Sequence, residues 1–255
     1  MAGVRNHGGG YPGNALRRQR AGWRRALWGN QVLSALPAGE YRRLRPYLEL
    51  IPLKAATVLW ESNKPIGFVY FLNRGMASFV ATMRDGATVE VGVTGRESFA
   101  GIPVVLGVQS VPVRAIVQIE GDAFRIESGL LRQILPHTPR FEQMLRRCAQ
   151  GYAMQVAQAA ACNRLHQVGE RLARWLLMSQ DRAGSDLLPL TQEFLAQMLG
   201  CRRSSVTAAI GSLHKAGVIR RERAQVRVLD RRELEERACE CYDVMRRLSD
   251  PAQTG

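Results

Sequence analysis

Residues 191–213 read TQEFLAQMLGCRRSSVTAAIGSL, a pattern that few local structures satisfy. Thr191 is an N-cap residue whose hydroxyl can accept from an early helical N–H. Phe194, Leu195, Met198 and Leu199 follow at the steps that build one buried helix face. Gly200 stands where the chain must turn, in a backbone conformation costly for any residue with a Cβ. Val206, Ile210 and Leu213, at steps of four and three, give a second inner face. The spacing predicts helices near Thr191 to Leu199 and Arg203 to Ala216, joined by three or four residues.

The start of the second helix carries its chemistry. Arg202, Arg203, Ser204, Ser205 and Thr207 fall on its outer, N-terminal side, while Ala208 and Gly211 add little bulk further along. An arginine fork matches guanine O6 and N7, and hydroxyls at a helix N-terminus meet phosphate oxygens. Arg203 is the leading base-reading candidate, with Arg202 beside it. Thr191, Ser204, Ser205 and Thr207 are candidates for phosphate or base-edge contacts. His214 and Lys215 close the helix as further phosphate candidates. From Cys201 to Arg232 there are nine basic and two acidic residues, a local balance of +7. Arg220, Arg221, Arg223 and Arg227 flank a predicted hairpin, Ile219 to Glu222 and Val226 to Leu229, that would form a basic wing. The alternative is a plain helical hairpin whose arginines are merely solvated.

The whole chain is basic too: 36 Lys and Arg stand against 22 Asp and Glu, a net charge of +14. Lysine occurs only at Lys54, Lys64 and Lys215, so arginine carries nearly all of that charge. This favours an anionic partner, though it says nothing of fold. Residues 1–30 hold six arginines and no acid, with Gly8 to Gly10 marking a flexible basic tail. Short helical pieces follow over 26–48, interrupted at Pro37 and Pro46. From Leu50 to Ile126 the pattern changes to short runs of β-branched and aromatic residues: Thr57 to Trp60, Phe68 to Leu72, Ala77 to Met83, Thr88 to Val93, Arg114 to Ile119 and Ala123 to Ile126. Asn73-Arg74-Gly75 and Arg84-Asp85-Gly86 read as turns between them. Such spacing indicates an antiparallel barrel or sandwich. Ten basic against nine acidic residues from Leu36 to Leu130 exclude this part as the nucleic-acid face.

Phe141 to about Gln180 has no proline, and a seam at Phe141, Leu145, Cys148, Tyr152, Gln155, Ala159 and Cys162 follows steps of four and three. A stripe of this kind needs a partner surface, most simply the same helix of a second subunit, with its own domain as the alternative. The small residues Ala157 and Ala159 to Ala161 permit close approach. A bend is expected near Val168-Gly169, and a final amphipathic helix over Arg231 to Leu248. The expected organisation is a basic tail (1–25), a β-barrel sensor (26–138), a central dimerisation helix with a linking helix (139–182) and a winged reader with a C-terminal helix (183–255).

Five cysteines, Cys148, Cys162, Cys201, Cys239 and Cys241, are an odd number in a chain large enough to need no staples, which indicates reduced, cytosolic thiols. Cys148 and Cys162 are read as seam residues rather than metal ligands. Cys239 and Cys241, two apart on one continuous helix, would face different directions. No metal site is expected. No run is apolar enough for a membrane span and no signal-peptide core is visible, so a cytoplasmic protein without a membrane partner is expected.

The order of parts resembles the cyclic-AMP receptor protein and fumarate-nitrate regulator (Crp/Fnr) superfamily of bacterial transcription factors over residues 28–235. The likeness is strongest in LTQEFLAQMLGCRRSSVTAAIGSLHKAGVI, and extends to YFLNRGMASF, RDGATVEVGVTGRES and PVRAIVQIEGDAFRI. It implies an α+β fold: an N-terminal double-stranded β-helix (jelly-roll, cyclic-nucleotide-binding-like), a long central dimerisation helix and a C-terminal winged helix-turn-helix. It also implies a homodimer on palindromic promoter DNA, with RNA polymerase as a further partner and no catalysis. In the nucleotide-binding version a glutamate holds the ribose and a downstream arginine the phosphate. The corresponding stretch here is GRESFAGIPVVLGVQSVPVRA. Glu97 matches the glutamate, but the arginine position falls near Gln109 and Ser110, with Arg96 and Arg114 as the nearby cations. Arg96, Glu97, Ser110 and Arg114 therefore form a candidate effector pocket, with control by cyclic nucleotide disfavoured. The cluster-bearing version has N-terminal cysteines, and none precedes Cys148, so an iron–sulfur cluster is not expected. Haem lacks a persuasive axial ligand at His7 or His137. No cofactor is expected and the effector is open. Where relatives read DNA with an arginine, a glutamate and a second arginine, this chain has Arg203, Ser204 and Ala208, which implies a different operator. A less specific nucleic-acid binder driven by tail and wing is the competing function. No nucleophile–base pairing points to an enzyme.

Overall fold

The computed structural model describes residues 29–249; the basic tail lies outside them. Asn30 caps α1 (Gln31–Ser34), accepting from Leu33 N–H at 3.1 Å, and α2 (Ala38–Leu44) follows. Five antiparallel strands come next with one short helix among them: β1 (Glu49–Leu53), β2 (Val58–Trp60), β3 (Phe68–Thr82), β4 (Thr88–Thr94), α3 (Ile102–Val105) and β5 (Arg114–Glu127). They pair in the order β1-β5-β3-β4, with β2 also on β5.

Asn73-Arg74-Gly75 is no turn. It lies within β3, where the pairing with β5 slips between Leu72 and Arg74 and again up to Ala77. Gly75 has φ +88, and a Cβ there would stand 2.5 Å from the Ile119 carbonyl oxygen. Across from it a Cβ on Gly121 would stand 2.1 Å from the Arg74 oxygen. The glycine lets two strands bulge past each other, so the sequence runs expected as four strands are two long bent ones. Arg84-Asp85-Gly86 does turn the chain: Asp85 Oδ1 accepts from Ala87 N–H at 3.0 Å and Gly86 has φ +85. The inner face is filled by rings, Phe71 against Phe99 and Phe141 (5.7 Å each) and Phe79 between Trp60 (5.6 Å) and Tyr152 (5.2 Å).

After α4 (Ser128–Ile134), the central helix α5 runs over Pro139–Leu165 and breaks at His166 and Gln167. A capping box between Gln167 and Glu170 then starts α6 (Val168–Ala183). The remainder is β6 (Leu187–Leu188), α7 (Gln192–Leu199), α8 (Arg203–Lys215), β7 (Ile219–Glu222), β8 (Gln225–Val228), α9 (Arg231–Glu236) and α10 (Cys241–Leu248). The mixed α+β class is as expected, but the final helix is two, separated at Arg237 to Glu240.

The seam expected to meet a second subunit is occupied within the chain. Phe141, Leu145 and Cys148 pack into the ring-filled core, and Tyr152 lies edge-on to Phe79 and over Gly92. Gln155 donates to Ser249 Oγ at 2.9 Å, Ala159 packs beside α6 and the reader core, and Cys162 is fully buried. Gly151 brings α5 close to α10, since a Cβ there would stand 2.7 Å from the Leu248 oxygen. The face of α5 left open is Gln150, Ala153, Met154, Ala157, Ala160, Ala161 and Leu165. Period alone made Tyr152 and Ala159 look like the subunit face; the apolar sheet and α10 claim that side first.

Candidate nucleic-acid interface

Thr191 Oγ1 accepts from Phe194 N–H at 3.1 Å, opening α7. Leu195, Met198 and Leu199 are buried, and Gly200 closes the helix in the left-handed region at φ +58. Arg202 is the extended residue before α8, whose Val206, Ile210 and Leu213 point inward. Arg202, Arg203, Ser204 and Thr207 are exposed together on the first turn and Ser205 is half-buried. Arg203 has only a loose pairing with Glu193 at 3.5 Å, both about two-thirds exposed. The Thr207 hydroxyl lies 2.9 Å from Gln192 Oε1 and 3.0 Å from the Arg203 oxygen, which ties the two helices while leaving its outer side free.

His214 Nδ1 sits 3.2 Å from the Ile219 oxygen, so its ring pins α8 to the wing and is less free for phosphate than expected. Arg221 and Arg223 are exposed on the hairpin, which turns at Ala224 with φ +56, while Arg227 is engaged by Glu222 at 3.0 Å. Arg202, Lys215, Arg220, Arg221 and Arg223 have no carboxylate partner among the described residues. Their charge, added to the positive end of α8, is available to an external anion.

Of the four effector candidates, Arg96 and Glu97 line one cleft, and Ser110 and Arg114 do not line it. Glu97 is half-buried and committed: its Oε1 accepts from Arg182 of α6 at 2.8 and 2.9 Å and from Gly95 N–H at 3.0 Å. Arg96 lines a cleft of about 340 Å³ with Asp181, Arg182, Tyr242 and Arg246, at the seam between the sheet and the C-terminal helices. Ser110 is exposed, and Arg114 faces Glu61 at 3.5 Å beside β2. The family resemblance implies a ribose-holding role for Glu97, whereas in the fold its carboxylate is paired with Arg182 of α6.

The sheet reaches the reader through α6, which is buried on every side from Arg171 to Gln180. Met76, Val80, Val93 and Ile119 of the sheet share one core with Leu172, Leu176, Leu195 and Ile210. Arg171 donates to the Leu199 carbonyl at the end of α7, and Trp175 lies edge-on to Phe194 at 5.9 Å. Glu90 of β4 accepts from Trp175 Nε1 at 2.8 Å and from Ser78 Oγ at 2.6 Å. Burial pushes its carboxyl up to about 7, against these hydrogen bonds and the charges of Arg174 and Arg182. The β3–β4 hairpin also touches the turn of the reader: a Cβ on Gly200 would stand 2.9 Å from Val89 Cγ2. Met83, Gly86 to Val89 and Gly200 to Arg203 line a cleft of about 660 Å³.

Reading the cysteines along the sequence missed a four-residue cluster. Cys162, His166, Cys239 and Cys241 present their sulfur and nitrogen atoms within 4.8 Å of one another. Cys162 lies on the last turn of α5 and His166 is the extended residue that ends it. Cys239 and Cys241 converge because the break between α9 and α10 falls on them, where a continuous helix would have turned them apart. The paired signal was Cys-x-x-x-His near the helix end and Cys-x-Cys downstream.

Residues 170–237 match the family model of the Crp-like helix-turn-helix domain. The C-terminal part of the chain is thus a Crp-like helix-turn-helix domain. Among solved structures, it resembles FixK2 from Bradyrhizobium japonicum, with a TM-score of 0.64 at 16% identity over 75% of this chain and 98% of that one. The c-di-GMP responsive global regulator CLP of Xanthomonas campestris gives 0.62 at 18% identity, over 75% and 99%. A CRP-family transcriptional regulator from Thermus thermophilus gives 0.59 at 18%, over 74% and 96%. No curated protein matches the chain by sequence. The Crp/Fnr fold accounts for the order of sheet, central helix and winged reader. Among the described residues no helix is long and apolar enough to cross a membrane.

Proposed function

We propose that the chain is a homodimeric transcription regulator of Crp/Fnr type that reads a twofold-symmetric promoter site in double-stranded DNA. The observation that carries this reading is the first turn of α8: Arg202, Arg203, Ser204 and Thr207 stand exposed beside a wing whose Arg220, Arg221 and Arg223 have no carboxylate partner among the described residues. Arg203 reads a base edge, Thr191, Ser204, Ser205 and Thr207 meet phosphate or base edges, and Lys215 with the wing arginines grips the flanking backbone. Dimerisation uses the open face of α5, centred on Ala153, Ala157 and Ala160, rather than the filled seam. A signal received by the sheet reaches the reader through Glu97–Arg182 and Glu90–Trp175, contacts that two helix arrangements would make differently. Cyclic nucleotide is not the effector proposed, because Glu97 is held by Arg182 and rings fill the inner face.

Selection of binding sites from random duplexes tests this. The expected product is a symmetric site, and Arg203→Ala should lose about 1–3 kcal/mol of discrimination at one position in each half-site. Equal affinity for selected and scrambled duplexes would instead favour a low-specificity binder driven by charge.

A further inference from the structure

We propose that Cys162, His166, Cys239 and Cys241 bind one tetrahedral zinc ion that fastens the C-terminal segment to the end of the central helix. Three thiols and an imidazole form a closed four-ligand set of the kind structural zinc takes. Zinc–sulfur and zinc–nitrogen bonds of about 2.3 and 2.0 Å place tetrahedral ligand atoms roughly 3.5–3.8 Å apart. Here Cys162 Sγ and Cys239 Sγ are 3.5 Å apart, and Cys241 Sγ is 3.5 Å from His166 Nδ1. The ligand atoms leave room for a single ion and not for an iron–sulfur cluster, whose thiolates stand on separate irons.

The surroundings suit the same ion. Glu240 Oε2 lies 3.2 Å from His166 Nε2, the carboxylate–histidine arrangement that keeps the proton on Nε2 and turns the Nδ1 lone pair inward. Gln158 Nε2 donates to Cys241 Sγ at 3.1 Å, as a bound thiolate requires. Close by, Arg174 is buried. Its Nη1 touches only the Met178 and Met245 sulfurs, each at 3.3 Å, and its Nε has no hydrogen-bond partner. A buried guanidinium in such a setting needs a compensating anion, and the Glu90 carboxyl within its electrostatic reach is itself pushed toward the neutral form by burial. One Zn²⁺ with three thiolates carries a net charge of −1, and Arg174 lies within electrostatic reach of Cys162 and Cys239. A disulfide between Cys162 and Cys239 would leave the approach of His166 and Cys241 to them unexplained.

The two ligand pairs come from either side of α6, the reader and the wing. An ion there closes that whole stretch into a loop anchored at the α5–α6 break, and fixes α10 on α5.

Elemental analysis of the full chain, purified under reductant, should find about one zinc per chain. Stripped, reduced protein titrated with Co²⁺ should develop tetrahedral d–d bands and a thiolate-to-cobalt charge-transfer band that saturate at one equivalent. Cys239→Ser with Cys241→Ser should abolish these, and His166→Ala should weaken Co²⁺ binding at least tenfold, whereas Cys148→Ser should leave it unchanged. Wild-type protein that takes up no Co²⁺ in tetrahedral form would overturn the assignment, whether or not the variants fold. So would undiminished bands in the Cys239/Cys241 double variant, or a Cys162–Cys239 disulfide in the reduced preparation.

Discussion

Glu97 and Arg182 form the most enclosed ion pair between the sheet and the linking helix, with side chains only 11% and 5% exposed. Removing one partner leaves the other charge largely enclosed beside the cleft without its counter-ion. Glu97→Ala and Arg182→Ala are each expected to lower unfolding free energy by about 3–5 kcal/mol in a urea titration; losses under 1 kcal/mol would show that water replaces the partner. Glu90, a few residues earlier, acts through its proton. Its carboxyl titrates near 7 in the fold and near 4.5 when unfolded, so the folded state binds more protons between those values. Stability from this group is full below pH 4.5 and declines as pH rises through 7, by about 3 kcal/mol in all. Glu90→Gln should flatten that slope and leave the variant the more stable at pH 8; a slope equal to the parent's would place the titration elsewhere. Glu97 was visible in the sequence as a special residue, but its partner lies on a distant helix, and local pattern carries no such pairing. Glu90 gave no signal, because alternation in β4 placed it among outward-facing positions that α6 then covered.

At the scale of elements, the sequence period finds each helix and leaves open what it faces. On α5 two stripes compete: Leu145, Tyr152 and Ala159 on one side, Ala153, Ala157 and Ala160 on the other. The larger side chains fill the intramolecular core, leaving the small ones outside, where two helices can approach closely. Ala157→Glu should therefore convert the protein to monomer in light scattering while its unfolding midpoint is kept; Tyr152→Glu should lower the midpoint, because that ring packs on Phe79. Dimer retained in Ala157→Glu would place the subunit contact on another surface. The helix-turn-helix was legible residue by residue, since its cap, turn glycine and inner faces are all local. The Asn73-Arg74-Gly75 bulge was not, because a glycine beside a polar residue signals a turn and a bulge alike until the opposing strand, here with Gly121, is known. Likewise the break at Arg237 to Glu240 has no proline to announce it, and with it the convergence of Cys239 and Cys241 was hidden.

For the whole molecule, the division into a charge-balanced sheet and a strongly basic reader was written in composition. How they meet was not. The β3–β4 hairpin lies against the turn between α7 and α8, and a single core runs from Met76 and Ile119 through α6 to Ile210, the packed route that the proposed signal would take from the sheet to α8. The central claim is that two copies of the chain set two such helices in successive major grooves. Footprinting the purified dimer on its selected site tests this most directly. Two protected major-groove segments about 10 base pairs apart on one face of the duplex are expected, both lost together in Ala157→Glu. Protection of a single segment, unaltered by that substitution, would contradict it.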